Sequence, residues 1–159
     1  MDGLIVDLRN NGGGSLQEVV DMAGLFISKG PIVQVKGKND MSMVMEDYNP
    51  EISWTGPLSI MVNRNSASAS EILAAAMQDY KRAIIVGTPS YGKGTVQSFV
   101  DLDQQLIPQL DSIKPLGQVK ITMQKFYRVN GGATQIKGVT PDVIFPDPYE
   151  LFESGEKDT

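Results

Sequence analysis

The chain is 159 residues long with 41% hydrophobic and 21% charged residues, which describes one globular core rather than a disordered segment. Its 14 basic and 19 acidic side chains give a net charge of -5, so it lacks the basic footprint of a nucleic-acid binder, and no apolar run reaches membrane-spanning length. It contains no Cys and no His, which excludes a disulfide, a Cys-based zinc site, a thiol nucleophile and a Ser-His-Asp triad.

Any catalysis must therefore run on Ser, Thr, Lys, Asp, Glu or Tyr. Lack of Cys suits an oxidising compartment without requiring one. Neither a signal segment nor a lipidation motif opens the chain: Met1-Asp2 stands directly before an apolar run, as in a piece cut from a longer protein.

Leu4 to Leu8 is a short apolar run of the kind buried on both faces of a sheet, and it ends in Arg9-Asn10-Asn11 and three glycines. Ser15 with Glu18 three residues on opens an amphipathic helix through Val19, Val20, Ala23, Leu25, Phe26 and Ile27, stopped by Gly30-Pro31. Ile32 to Lys36 reads as a strand, and the polar, Met-rich stretch from Gly37 to Pro50 as an excursion or small hairpin. Leu58 to Val62 is a second buried strand that runs straight into Asn63-Arg64-Asn65-Ser66-Ala67-Ser68-Ala69-Ser70-Glu71. From Ser68 to Lys81 the chain is Ala-rich and helical, and Ala83 to Gly87 returns as a strand.

That order predicts an α/β fold with a largely parallel core. Beyond Gly94 the pattern turns to β: strands are expected at Thr95 to Leu102, Gln118 to Met123 and Lys125 to Val129, with a loop punctuated by Pro108 and Pro115. Asn130-Gly131-Gly132 is a turn, Val143-Ile144-Phe145 a last strand, and Glu153 to Thr159 a frayed polar end, so residues 1–152 form the core and 153–159 a tail.

Three segments could carry chemistry. Gly87 to Lys93 fits the phosphate-cradling GxxxxGK pattern, but Gly94 stands where Mg²⁺ needs Ser or Thr, and strand follows where the anion site needs a helix. Ser68 sits where a buried strand turns into a helix among small residues, the construction of a nucleophile elbow; the plainer alternative makes Ser66, Ser68 and Ser70 helix caps. With no His available, a serine nucleophile needs another base, and Lys93 between two glycines is the partner, provided apolar surroundings lower its pKa. Asn10 to Gly14 could converge backbone N-H groups on an oxyanion, or simply be a flexible turn. All three lie at strand ends of one α/β domain, the edge where such folds place their sites.

Asp7-Leu8-Arg9-Asn10-Asn11-Gly12-Gly13-Gly14, Ser66-Ala67-Ser68-Ala69-Ser70-Glu71-Ile72, Ala74-Ala75-Ala76-Met77-Gln78-Asp79-Tyr80, Gly92-Lys93-Gly94-Thr95-Val96-Gln97, Gln124 to Gly132 and Lys137-Gly138-Val139-Thr140-Pro141-Asp142 cover most of the chain. In this order they resemble the tail-specific, or C-terminal processing, family of serine proteases. The resemblance implies Ser68 as nucleophile, Lys93 as general base and Gln97 as the residue that orients the lysine. It places the oxyanion hole at the N-H of Gly13 or Gly14 and that of Ala69, with no cofactor and no metal. It implies the spiral-type α/β core of Clp protease and crotonase relatives, with an added C-terminal β portion. It further implies a bacterial periplasmic or envelope location, protein substrates with apolar C-terminal tails, and a PDZ module ahead of the first segment. A catalytically silent core that only binds peptides or serves as a scaffold is the competing expectation.

Overall fold

A computed structural model describes residues 1–38, 41–107, 112–147 and 155–156. Two four-stranded sheets share one hydrophobic core. The first is parallel, in the order β1 (Leu4–Asp7), β4 (Leu58–Val62), β5 (Ile84–Gly87), β8 (Val143–Ile144). The second is antiparallel and runs β3 (Ser42–Asp47), β2 (Gly30–Gly37), β7 (Gln118–Tyr127), β6 (Thr95–Asp101).

Among the described residues, two α-helices complete the core. α1 (Leu16–Gly24) starts as its sequence predicts: Ser15 is the N-cap, and its Oγ accepts from the Glu18 N-H at 3.3 Å. It stops earlier than expected, before Leu25, because the Leu25 carbonyl accepts from Ser53 and Trp54 N-H at 3.0 and 3.1 Å and is spent on the chain instead of a next helical turn. α2 (Ala69–Asp79) packs on α1, on β5 of one sheet and on β2 of the other. Contact on several sides explains why every residue from Ala69 to Met77 is buried and why four of these nine are alanine.

Three expectations change. Ile32 to Lys36 is a strand, but it joins the antiparallel sheet, so only half of the strands are parallel. Gln118–Tyr127 is one ten-residue strand, not two, because no turn residue interrupts it at Gln124. Gly155 and Glu156, expected to fray, are docked, with Glu156 N-H donating to the Tyr91 carbonyl at 3.0 Å. The stretch from Gly37 to Pro50 supplies one strand, β3, which pairs back antiparallel on β2, so the hairpin includes the strand before the stretch. Pro108 and the rest of the tail lie outside the described residues.

The consequence for function is positional. β1, β4 and β5 are adjacent and parallel, and their C-terminal ends at Asp7, Val62 and Gly87 release the glycine loop, the Ser68 loop and the Lys93 loop side by side. That edge is where open α/β sheets place ligands.

Candidate active site

Ser68 has φ 57 and ψ -115, a backbone that a residue with a Cβ rarely adopts. Strain of this kind persists only where the surroundings over-determine it, and a sharp strand-to-helix turn of the nucleophile-elbow kind is one such setting. The flanking serines have other work. Ser66 Oγ donates to the Leu8 carbonyl at 2.8 Å and accepts from the Asn63 N-H at 2.9 Å, while Ser70 Oγ donates to the Asn11 carbonyl at 3.0 Å. Two of the three serines thus pin the turn to the glycine loop.

A polar ladder reinforces that junction. Asn10 Oδ1 accepts from the side-chain amides of Asn63 and Asn65, both at 3.0 Å, and Asn63 Oδ1 accepts from the Asn10 N-H at 2.9 Å. The Ala67 N-H adds a 3.0 Å bond to the Asn11 carbonyl. Gly13, with φ 104, lies so close that a Cβ there would stand 2.7 Å from Ser68 Cβ and 2.9 Å from Ala69 N. Only glycine fits. The Gly13 N-H is committed to Asn11 Oδ1 at 2.9 Å, whereas the Gly14 and Ala69 N-H groups have no partner among the described residues.

Glu71 joins the serine loop to the lysine loop: Ser68 is the N-cap residue of α2, and the bond from its N-H to Glu71 is the one that the Ser-x-x-Glu spacing announces, whereas no sequence pattern announces the bonds to the lysine loop. It is fully buried, and its carboxylate takes four donors. Oε2 accepts from the Ser68 and Lys93 N-H groups at 2.8 and 2.9 Å, so the backbones of these two residues share one oxygen atom. Oε1 accepts from Ser90 Oγ at 2.6 Å and from the Gly92 N-H at 2.7 Å. Burial pushes the Glu71 carboxyl above its ordinary range, against the hydrogen bonds from Ser90, Gly92, Ser68 and Lys93 that hold it down. The resemblance of Gly87 to Lys93 to a phosphate loop now has a physical explanation: its N-H groups do converge on an anion, which is Glu71, and β6 rather than a helix follows.

A second clamp holds the lysine loop from outside. The Gly94 N-H donates to Gln135 Oε1 at 2.7 Å, the Ile136 N-H to the Gly92 carbonyl at 2.7 Å, and the Val139 N-H to Ser90 Oγ at 2.7 Å. Lys93 is half-buried, and its ammonium makes no ion pair among the described residues. Gln97 stands apart: it is exposed on β6, and its amide donates to Thr122 Oγ1 at 3.5 Å, the long limit of such a bond, instead of to Lys93. Ser68, the glycine loop, Ala69 and the Lys93 backbone are therefore gathered into one unit, and Gln97 is not.

A loop serine in a strained turn, two unpartnered N-H groups beside it and a lysine held by the same carboxylate are the parts needed for acyl transfer. No group of three or more Asp or Glu residues is placed to hold a metal among the described residues, and no helix there is long and apolar enough to cross a membrane.

Comparison with known proteins gives the family. Residues 1–145 match the model of Peptidase family S41. The chain is 53% identical over 155 residues to the tail-specific protease of Haemophilus influenzae, covering 98% of itself and 22% of that protein. It is 36% identical over 168 residues to the carboxy-terminal processing protease CtpA of Bacillus subtilis, covering 99% of itself and 34% of that protein. Among solved structures, the photosystem II D1 C-terminal processing protease matches with a TM-score of 0.75 at 34% identity, over 91% of this chain and 35% of that one. Mature CPAF matches at 0.72 with 15% identity, a likeness of fold alone. The chain thus spans about a fifth to a third of the length of these relatives. With its Clp- and crotonase-like α/β core, it belongs to peptidase family S41, the family of the tail-specific and C-terminal processing proteases.

Proposed function

We propose that this chain is the catalytic core of a serine endopeptidase working through a Ser68-Lys93 dyad. The observation that carries the proposal is the positive-φ turn at Ser68, joined through the Glu71 carboxylate to the backbone of Lys93. Lys93, in its amine form, accepts the Ser68 hydroxyl proton as Oγ bonds to the peptide carbonyl carbon. The N-H groups of Gly14 and Ala69 receive the oxyanion; the Gly13 N-H is already spent on Asn11, which supports Gly14 over Gly13. The lysine proton passes to the departing amine, the peptide C-N bond breaks, and water then releases the acyl group from Ser68.

Gln97 orients the Lys93 ammonium in this scheme. It would have to leave Thr122 to do so, and catalytic hydrogen bonds commonly tighten only once substrate is bound. The substrates are proteins offered by apolar C-terminal tails, delivered by a PDZ module elsewhere in the protein, in the periplasm or cell envelope of a bacterium. Support for these last points is the likeness to the Haemophilus tail-specific protease and the Bacillus processing protease.

The test is cleavage of an unstructured polypeptide with an apolar C-terminus, read by mass spectrometry, with wild type, Ser68→Ala and Lys93→Ala compared. Cleavage abolished by Ser68→Ala and slowed at least about a hundredfold by Lys93→Ala is expected. Equal cleavage by all three would remove both residues from the mechanism. Binding without cleavage by wild type would favour the scaffold alternative.

A further inference from the structure

The turn from Thr134 to Gly138 lies against both glycines that flank Lys93. A Cβ on Gly94 would stand 2.7 Å from Gln135 N and 2.8 Å from Gln135 Cβ, and one on Gly92 2.9 Å from the Ile136 carbonyl carbon. The turn is itself strained: Ile136 has φ 69, a left-handed backbone that a β-branched side chain adopts only where its surroundings impose it. We propose that Gln135 is a positioning residue for the general base, fixing the backbone from which Lys93 reaches Ser68, and that Glu156 sets which end of the Gln135 amide faces Gly94. The inference rests on the protease reading above and adds to it a residue that acts through Gly94 and not on substrate.

A lysine carries its nitrogen at the end of a flexible stem, so where that nitrogen can reach is set by the backbone that bears it. Five of the six N-H and C=O groups of Gly92, Lys93 and Gly94 are bonded. Glu71 takes the Gly92 and Lys93 N-H groups, and the Phe126 N-H on β7 donates to the Gly94 carbonyl at 2.9 Å. The turn takes the other two: the Ile136 N-H donates to the Gly92 carbonyl and the Gly94 N-H to Gln135 Oε1, both at 2.7 Å. Of these partners only Glu71 and Gln135 act through a side chain, so Gln135 is the one point outside α2 where a substitution can release the lysine loop.

A side-chain amide donates at one end and accepts at the other, with nearly the same shape. Turned around, Gln135 would set its NH2 against the Gly94 N-H and leave that part-buried donor without an acceptor. Glu156 excludes this orientation, because Gln135 Nε2 donates to Glu156 Oε1 at 3.2 Å and a carboxylate only accepts. Glu156 is in turn tied to the same loop by its N-H, which donates to the Tyr91 carbonyl at 3.0 Å. Gly94, Gln135, Glu156 and Tyr91 thus close a ring of bonds that holds the lysine loop on both sides of Lys93.

The experiment uses the full-length protein, with kcat and KM for the unstructured polypeptide read by mass spectrometry and folding followed by urea midpoint. Gln135→Ala removes the acceptor for Gly94, whereas Gln135→Glu keeps it but sets a second carboxylate against Glu156. Both should lower kcat by about tenfold to a hundredfold, the cost of a misplaced catalytic group. KM should move by less than about twofold, since no substrate contact is removed. Combining Gln135→Glu with Glu156→Gln exchanges donor and acceptor between the two positions, and most of the lost kcat should return. An unchanged kcat in both single variants, a combined variant no faster than Gln135→Glu alone, or a loss of rate that only tracks loss of folded protein would overturn the positioning role; if Ser68→Ala still abolished cleavage, the protease reading would stand. Cleavage that survives Ser68→Ala, or none by wild type, would overturn both.

Discussion

At the scale of single residues, Glu71 carries more of the site than its place in the sequence suggests. A carboxylate has about four acceptor positions, and here every one faces a donor. Glu71→Gln keeps the shape but turns one end into a donor among donors, leaving two of them unsatisfied at about 1–3 kcal/mol each. We expect the variant to lose about 3 kcal/mol in urea unfolding, and kcat to fall with little change in KM. Acidity should act on the same group. Because burial raises the Glu71 carboxyl above the ordinary 4.5, the folded protein takes up this proton before the unfolded chain does. Across that window the group's effect on stability therefore improves as the pH falls, while the Lys93 and Ser68 amides lose their charged acceptor. Activity should decline on mild acidification without unfolding, as followed by rate and circular dichroism together; a rate loss that tracks unfolding would contradict this. Ser68 and the glycine loop were legible in the sequence because strand-end serines and glycines advertise unusual backbone. Glu71 was legible only by half, since Ser68-x-x-Glu71 has the spacing of a capping box but nothing in it reports the Lys93 loop folded onto the same carboxylate.

At the scale of elements, α2 is the part on which the site depends, since its first turn bears Ala69 and Glu71 while its body is buried among α1, β5 and β2. The alanines at 74, 75 and 76 are almost fully buried. Ala75 is 2% exposed, and Ala75→Leu should cost about 1–3 kcal/mol by overpacking, measured as a lower urea midpoint at unchanged slope. A midpoint equal to wild type would mean that α2 has an open face. The helices and most strands were readable from periodicity and caps. The partition of strands into two sheets was not, because Ile32 to Lys36 has the composition of a strand in either. The end of α1 was missed for a related reason: the Leu25 carbonyl is taken by Ser53 and Trp54, far along the chain, and no local pattern reports that.

At the scale of the whole molecule, three adjacent parallel strands deliver three loops to one edge, and cross-loop bonds convert them into a single rigid unit. The central claim is that Ser68 in this unit is a nucleophile made reactive by Lys93. The most direct measurement is labelling by a serine-directed fluorophosphonate, with the modified residue located by mass spectrometry in wild type and in Lys93→Ala, both first shown to be folded. The account predicts one label, on Ser68, formed at least about a hundredfold more slowly without Lys93. A label on another serine, or equal rates in the two proteins, would contradict it.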